Sequence, residues 1–195
     1  MSAGRLIAVV GPSGAGKDRV IAGIAQAAPH IVPVIRVITR VPDPSGETCT
    51  PVDPAEFAEL QAAGAFCLHW QAHGLRYGIP AQVVSDVRGG AQRIVNLSRA
   101  VLSEAQAIFP ELLVLHVTAR PGTLARRLMR RDRETATEIA ERLARAAPEL
   151  PRDIKCVDLP NDGPLDGTIA RALQLLARDD PQPDPCSATT GKVPE

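Results

Sequence analysis

The sequence lacks paired cysteines and an excess of either charge. Its four cysteines stand apart, with no Cys-x-x-Cys motif. Structural zinc sites commonly use closely spaced cysteine pairs, and disulfide frameworks are typical of short, cysteine-rich secreted chains, so four scattered cysteines argue against both and favour a cytoplasmic protein with free thiols. Lys plus Arg and Asp plus Glu both number 22. This balance argues against a surface built for nonspecific binding to nucleic acid.

Long apolar runs are also missing. No run approaches the roughly 18 residues that a membrane span requires. Near the N-terminus only five or six apolar residues precede a glycine-rich loop, so we expect no signal peptide there. The length of 195 residues and the 45% apolar content indicate one domain with a core. We expect this domain to be a monomer or a homodimer.

Lysine is scarce, whereas arginine is abundant. The sequence holds three lysines and 19 arginines, and eight of the arginines fall between Arg120 and Arg145. The planar fork of arginine matches two phosphate oxygens at once, which favours a site for phosphorylated molecules. The alternative is biased composition, with the arginines on solvated helix faces.

Short apolar runs alternate with amphipathic segments. We predict strands over residues 6–10, 34–38, 66–70, 75–77, 93–97, 112–117 and 156–159. We predict helices over residues 16–28, 54–63, 80–87, 98–108, 121–130, 135–147 and 165–178. This alternation predicts an α/β fold with a parallel sheet covered on both faces. Residues 39–53 are predicted to form a loop, and the proline-rich residues 179–195 a disordered tail.

A glycine-rich loop follows the first predicted strand and matches the pattern G-x-x-x-x-G-K. It consists of Gly11, Pro12, Ser13, Gly14, Ala15, Gly16 and Lys17. In such loops the backbone N–H groups surround a phosphate chain, and the positive end of the next helix adds to their effect. Lys17 would reach the phosphates involved in transfer, so the loop predicts ATP binding. The alternative is an ordinary turn between a strand and a helix.

Asp18 stands where this motif normally has the serine or threonine that binds Mg²⁺. A carboxylate is also a good hard ligand for Mg²⁺. We therefore hypothesise that Asp18 coordinates the ion, directly or through water. The alternative is that the carboxylate only stabilises the positive end of the helix.

Four segments of the chain resemble guanylate kinases. They are residues 11–17, Thr39 to Pro42, Trp70 to Gly78, and 124–142 with the pattern R-L-x-x-R…E…R-L. The resemblance covers about residues 5–178. It implies a three-layer P-loop NTPase domain over residues 1–178, with a small acceptor-binding lobe at about 39–80 and a helical lid at about 124–146.

The resemblance also implies roles for single residues. Arg40 and Tyr77 would hold the acceptor phosphate, and Asn161 falls where the family contacts adenine. The transferring phosphoryl group would be surrounded by Arg127, Arg131 and Arg142. On the predicted helix, Arg127 and Arg131 are four residues apart and share one face.

The segments that recognise guanine in guanylate kinases are different here. Those kinases use acidic groups, but this chain has His69 in the first segment and no carboxylate after the strand that ends near Asn96. Guanine presents N–H donors, so the loss of two charged acceptors should cost on the order of several kcal/mol of binding free energy. GMP is therefore not the expected acceptor.

These differences are similar to those of ribose 1,5-bisphosphate phosphokinases of bacterial phosphonate catabolism. The resemblance rests on residues 16–18, on residues 73–80 and on Asn96-x-Ser98-Arg99, although Leu97 replaces the usual glycine. It implies transfer of the γ-phosphoryl group of ATP, with Mg²⁺, to ribose 1,5-bisphosphate, which yields 5-phosphoribosyl 1-diphosphate. Further expected substrate contacts are His69, His73, Arg76, Asn96, Ser98 and Arg99.

Several alternatives stay open from the sequence. His69 and His73 could pack structurally or form a metal pair, but they are not one helical turn apart and no third ligand is evident. Trp70 could belong to the core or stack on a ligand. The alternative functions are a nucleoside monophosphate kinase, above all a guanylate kinase, and a guanylate-kinase-like module that only binds proteins.

Overall fold

The computed structural model describes residues 4–41, 48–129, 150–151 and 153–178. The strands within these residues are β1 (Arg5–Val10), β2 (Ile31–Pro33), β3 (Arg36–Ile38), β4 (Cys49–Pro51), β5 (Phe66–Ala72), β6 (Leu75–Pro80), β7 (Gln92–Asn96), β8 (Leu112–Thr118) and β9 (Cys156–Pro160). The helices are α1 (Lys17–Ala27), α2 (Pro54–Ala62), α3 (Gln82–Arg88), α4 (Leu102–Ile108), α5 (Pro121–Met129) and α6 (Leu165–Arg178), with a 3₁₀ helix at Arg99–Val101. The predicted helix over 135–147 and the predicted tail over 179–195 lie outside the described residues.

The larger sheet has the order β2-β7-β1-β8-β9, and all its strand pairs are parallel. Its central strand β1 is buried throughout. Leu6, Ala8 and Val10 pack on the side of α3 and α4, whereas Ile7 and Val9 pack on the side of α1 and α6. The predicted parallel sheet with helices on both faces is therefore confirmed, and it explains why β1 is an uninterrupted apolar run.

A second, smaller sheet has the order β4-β3-β6-β5. Strands β5 and β6 form a hairpin whose turn uses positive φ values at His73 (51°) and Gly74 (74°). On one face of this sheet Val37 and Phe66 pack against Phe57 of α2. On the other face, buried side chains of β5 and β6 join the cluster that covers β1. The small sheet therefore shares one hydrophobic cluster with the larger sheet and with α3 and α4.

Two predictions about strands near the start of the chain were wrong. Residues 34–38 were predicted as one strand, but β2 ends at Pro33 in the larger sheet and β3 begins at Arg36 in the smaller one. Proline has no N–H to donate, so it suits the end of an edge strand. Residues 49–51 were predicted as part of a loop, but they form β4 through pairing with β3.

None of the helices in the described parts of the chain has the length and apolar character needed to span a bilayer.

Cys67 lies on β5, where its Sγ donates to the carbonyl groups of Ile79 (3.6 Å) and Pro80 (3.5 Å). Burial raises the pKa of this thiol from 9.0 to about 11. The thiolate is the reactive form, so at pH 8 alkylation by iodoacetamide should be about 100-fold slower in the folded chain than in urea. The difference should shrink as the pH approaches 11. Peptide mass spectrometry over a time course measures both rates, and equal rates at pH 8 would contradict the burial of this thiol.

The same shift has a consequence for stability. The folded chain holds the Cys67 proton more tightly than the unfolded chain does, because the folded pKa is the higher one. The resulting contribution to the free energy of unfolding is present below pH 9 and is lost as the pH rises towards 11.

Candidate active site

The glycine-rich loop connects β1 to α1 and has a backbone that requires its glycines. Gly14 and Gly16 have φ values of 83° and 90°, in the left-handed region. A Cβ atom at Gly11 would lie 2.1 Å from the carbonyl oxygen of Val117 on β8. The loop therefore passes close to the end of β8, where larger side chains do not fit.

Lys17 folds back into this loop. Its Nζ donates to the carbonyl oxygens of Gly11 (3.0 Å) and Pro12 (3.2 Å). The ammonium group therefore lies inside the curve of the loop, next to the N-terminus of α1. Both the ammonium and the helix terminus favour a negatively charged ligand at this point.

Asn161, which follows β9, holds the backbone of the glycine-rich loop by a hydrogen bond. Its Nδ2 donates to the carbonyl oxygen of Ala15 at 2.7 Å, and its Oδ1 accepts from the Thr168 hydroxyl at 2.9 Å. The Asn161 side chain is buried. The sequence prediction gave Asn161 an adenine contact, whereas here its amide nitrogen and oxygen both bind groups of the protein beneath the loop.

Asp162, the residue after Asn161, contacts the backbone just beyond the end of β8. The Asp162 carboxylate accepts from the backbone N–H of Arg120 at 2.9 Å. This hydrogen bond lowers the pKa of Asp162 below its usual range. The carboxylate is therefore held as an anion at the start of the segment that leads into α5.

Helix α5 brings Arg127 to the glycine-rich loop. The Nη1 of Arg127 donates to the carbonyl oxygens of Ala15 (3.3 Å) and Gly14 (3.5 Å). Leu124 and Leu128 of the same helix lie against Gly14. Arg127 therefore lies beside the phosphate-binding loop, and its role at the transferring phosphoryl group stays a prediction. Arg131 and Arg142 lie outside the described residues.

Asp18 and Asn96 are in direct contact although they are 78 residues apart. The Nδ2 of Asn96 donates to Oδ1 of Asp18 at 2.8 Å. The parallel register places Asn96 opposite Val9 of β1, so the end of β7 lies beside the loop that follows β1. The predicted metal ligand and a predicted substrate residue therefore form one polar pair.

Arg36 is a residue of this site that sequence reasoning missed. Its side chain is buried, and its Nη1 donates to the carbonyl oxygen of Asn96 at 2.8 Å. Its guanidinium lies 5.3 Å from the ring centroid of Tyr77 and 6.0 Å from that of Trp70. The signal was available, because an arginine within a β-branched run that is predicted to be buried is unusual.

Tyr77 and Trp70 form a flat pair beneath Arg36. Their ring centroids are 5.2 Å apart and their planes differ by 5°. Trp70 also packs against the cluster that covers β1. Trp70 is therefore both part of the core and part of an aromatic surface that carries a guanidinium group.

Other predicted substrate residues lie on the opposite face of the hairpin. Side chains alternate along a strand, so His69 and Arg76 point away from the face that Trp70 and Tyr77 share. The Arg76 guanidinium lies 4.6 Å from the Phe57 ring and donates to Gln61. The structure does not bring these two residues to the face of Tyr77.

His73 lies at the exposed tip of the same hairpin. No group of three or more His, Cys, Asp or Glu residues within the described residues could hold a metal ion. The alternative of a metal site built on His69 and His73 has no support here.

Arg99 contacts His116, which in turn contacts Asp158, and neither of these two partners was among the predicted site residues. Its Nη2 lies 2.8 Å from Nε2 of His116, whose Nδ1 lies 2.8 Å from Oδ1 of Asp158. Arginine only donates, so the contacts fit a neutral His116 that accepts at Nε2 and donates from Nδ1. His116 and Asp158 face each other in the register of β8 and β9. Polar residues near the carboxyl ends of parallel strands are the signal that could have revealed them.

Ser98 and Arg40 complete the set of predicted residues. The Ser98 hydroxyl accepts from the N–H of Ala100 at 3.3 Å and caps the 3₁₀ helix. Arg40 follows β3 and lines a cavity of about 410 Å³ together with Thr39, Val52 and Glu56. Arg40 therefore lies just beyond β3 of the small sheet, and Ser98 lies just beyond β7 of the larger one.

Comparison with known proteins gives close relatives. A scan against protein-family models finds no match. The ribose 1,5-bisphosphate phosphokinase PhnN of Ruegeria sp. (strain TM1040) is 48% identical over 174 residues, which is 89% of this chain and 92% of that protein. The ribose 1,5-bisphosphate phosphokinase PhnN of Acidiphilium cryptum (strain JF-5) is 51% identical over 153 residues, or 77% of this chain and 81% of that protein.

A solved structure of similar shape is the guanylate kinase from Anaplasma phagocytophilum. Its TM-score is 0.71 at 18% sequence identity, and the match covers 93% of this chain and 88% of that one. At this identity the likeness concerns the fold alone. The predicted guanylate kinase-like P-loop fold is confirmed.

Proposed function

Because the chain belongs to the ribose 1,5-bisphosphate phosphokinase family, we propose that it transfers the γ-phosphoryl group of ATP to ribose 1,5-bisphosphate. The products are 5-phosphoribosyl 1-diphosphate and ADP. The structural observation that best supports this proposal is the hydrogen bond between Asn96 and Asp18. It joins the phosphate-binding loop to the strand end that faces the small sheet, so donor and acceptor sites would meet there.

The parts of the chain divide the work in this proposal. The loop over residues 11–17 holds the phosphates of ATP. The small sheet and α2 form the acceptor lobe, at about residues 39–80. A lid at about residues 124–146 would exclude water; residues 130–146 lie outside the described part of the chain, and the contacts of Arg127 with the loop support the assignment for the part that is described.

The reaction needs charge stabilisation more than it needs a base. An oxygen of the 1-phosphate attacks the γ-phosphorus of ATP. The bond between this phosphorus and the β,γ-bridging oxygen breaks, and that oxygen leaves with ADP. A phosphate monoester has its second pKa near about 6, so the attacking oxygen is largely deprotonated at neutral pH. Lys17, Arg127, Arg131 and Arg142 would reduce the repulsion between the two polyanions.

Asp18 fits a role in holding Mg²⁺. Its carboxylate is exposed at the start of α1, beside the loop, and offers the hard oxygen that Mg²⁺ prefers. The Asn96 amide holds one carboxylate oxygen and so orients the group. Asp18 would hold a bound Mg²⁺ next to the phosphate-binding loop, where the ion would supply positive charge against the phosphates of ATP.

On the acceptor side we propose contacts from Arg40, Tyr77, Asn96 and Arg99. The Arg99 guanidinium is oriented by His116, which is oriented in turn by Asp158. We do not extend the proposal to His69, His73, Arg76 or Ser98. Two of these lie on the other face of the hairpin, one lies at its tip and one caps a helix.

We propose the cytoplasm as the place of action. The three cysteines in the described residues, Cys49, Cys67 and Cys156, are free thiols. Free thiols are typical of proteins in reducing compartments.

Phosphorus NMR tests the proposed function directly. The purified protein is mixed with Mg·ATP and ribose 1,5-bisphosphate, and a parallel tube contains GMP instead. We expect a new diphosphate pair that matches 5-phosphoribosyl 1-diphosphate, together with ADP, and no change in the GMP tube. GDP in the second tube with no reaction in the first would replace the proposal with a guanylate kinase.

A further inference from the structure

The proposed acceptor carries two phosphate groups, and only one of them reacts. The other, the 5-phosphate, carries about −1.5 to −2 charges at neutral pH and needs a cationic partner in the site. The inference that follows rests on the proposed function, because only that function makes the acceptor a bisphosphate. The candidates are the arginine side chains near the acceptor lobe.

Arg40 is expected to hold the phosphate that reacts, which leaves three other arginines outside the loop and the lid. Arg76 packs on Phe57 and donates to Gln61, on the face of the hairpin that points away from the larger sheet. Arg99 is engaged with His116 near the start of the 3₁₀ helix. Arg36 lies between the two sheets, on the face that carries Tyr77.

The position of Arg36 is set by contacts from both sheets. Its Nη1 binds the carbonyl oxygen of Asn96 on β7, at 2.8 Å. Its guanidinium lies over the stacked rings of Tyr77 and Trp70 on the hairpin. A guanidinium held in this way loses little further conformational entropy when it binds an anion.

Burial increases the strength of such a charge. The Arg36 residue is 5% exposed. Electrostatic attraction to an anion is stronger at a site shielded from water than on the surface. The planar fork of arginine can also bind two phosphate oxygens at once.

Arg36 is also close to the donor side of the site. The backbone of Asn96 binds Arg36, and the side chain of Asn96 binds Asp18 next to the phosphate-binding loop. The guanidinium therefore contacts the same residue, Asn96, whose side chain contacts Asp18. An acceptor held by Arg36 at one end would have its other end directed towards this loop.

We propose that Arg36 binds the non-reacting 5-phosphate and thereby makes the enzyme specific for a sugar bisphosphate. Arginine has no acceptor atom, so Arg36 does not replace the acidic groups that guanine N–H donors require. A nucleoside monophosphate would bring a base, and not a second anion, to this guanidinium. The site then favours the bisphosphate and disfavours GMP through the same side chain.

The test compares two acceptors that differ only in the 5-phosphate. Ribose 1-phosphate keeps the reacting phosphate and lacks the other one. In the unmodified enzyme we expect kcat/KM to be about 100-fold or more higher for ribose 1,5-bisphosphate. Arg36→Gln should reduce kcat/KM about 100-fold for the bisphosphate and less than about 3-fold for ribose 1-phosphate.

A second measurement does not depend on turnover of the compound tested. Ribose 5-phosphate carries only the 5-phosphate and should inhibit competitively against ribose 1,5-bisphosphate. Its inhibition constant should rise about 30-fold or more in Arg36→Gln. Arg36→Lys keeps the charge and loses the fork, so its inhibition constant for ribose 5-phosphate should lie between those of the unmodified enzyme and Arg36→Gln. This variant serves as the test if Arg36→Gln folds poorly.

Arg93→Gln is the matched control. Arg93 is a half-buried arginine on β7 that pairs with Asp86 at 2.7 Å, on the side of α3. Its replacement should leave the preference between the two sugars unchanged. Equal losses for both sugars in the Arg36 variants would overturn the proposal and make Arg36 a purely structural link between the sheets.

The measurements with the unmodified enzyme and with the Arg36 variants distinguish the proposed function from the role of Arg36. If the unmodified enzyme does not use ribose 1,5-bisphosphate, the proposed function is wrong. If it uses this acceptor but the Arg36 variants show no selective loss, only the role of Arg36 is wrong.

Discussion

Replacement of Lys17 by alanine is expected to lower kcat/KM for phosphoryl transfer by about three orders of magnitude. The Lys17 ammonium lies inside the phosphate-binding loop, where it donates to Gly11 and Pro12. In the reaction it would move to the phosphates and stabilise charge that develops during transfer. A coupled assay of ADP formation, with ribose 1,5-bisphosphate as the acceptor, measures the loss.

Lys155→Ala is the control for this variant. Lys155 is an exposed lysine just before β9, outside the candidate site. Its replacement should leave kcat/KM within about 2-fold, since exposed substitutions outside a site rarely matter. Lys17→Ala should still fold, because the lost hydrogen bonds cost only about 1 kcal/mol each. A folded Lys17→Ala enzyme with more than a tenth of the original kcat/KM would contradict the assigned role.

The second large effect is expected at Asp18. Asp18→Ala should raise the Mg²⁺ concentration for half-maximal rate about 10-fold or more, because it removes a hard oxygen ligand. The rate at saturating Mg²⁺ should fall about 100-fold. Rates measured across a Mg²⁺ titration give both quantities, and electron paramagnetic resonance of Mn²⁺ bound with ATP gives the affinity without turnover.

Asp166→Ala tests the alternative that Asp18 acts only on the helix terminus. Asp166 occupies the first turn of α6, as Asp18 does in α1. Its replacement should cost about 0.3–1 kcal/mol of stability and leave the Mg²⁺ dependence unchanged. An unchanged Mg²⁺ dependence in Asp18→Ala as well would exclude the metal role.

Asn96→Ala should shift the Mg²⁺ dependence in the same direction as Asp18→Ala, but less. It keeps the carboxylate and removes only the amide that orients it at 2.8 Å. The comparison of the two variants therefore separates the ligand from the residue that positions it.

Features that depend on neighbouring residues could be predicted from the sequence. The apolar run of β1 and the glycine pattern after it predict a buried strand followed by a phosphate-binding loop, and both are present. The helix predicted over residues 54–63 is present as α2, and the Asp53 carboxylate caps its start by accepting from the N–H groups of Ala55 and Glu56 at 2.8 Å. Such signals act within a few residues, so the chain carries them without its tertiary context.

Features that depend on which sheet a segment joins could not be predicted. The run predicted as one strand over residues 34–38 forms only β3, and residues 31–33 before it form β2 in the other sheet, because the pairing of β2 with β7 and of β3 with β6 is decided by distant residues. The same pairing determined which face of the hairpin meets the larger sheet. It placed Tyr77 towards Arg36, and Arg76 towards Phe57.

The sequence by itself therefore determined the α/β class, the phosphate-binding loop and the candidate residues Lys17, Asp18 and Asn96. Only the tertiary structure decided that Asn96 binds Asp18, that Arg36 lies between Asn96 and the Tyr77 ring, and that Arg99 contacts His116. The physical reason is that these contacts join strand ends and helix starts far apart in the chain. Residue spacing along one element gives the face of a side chain, but strand order and register decide what that face meets.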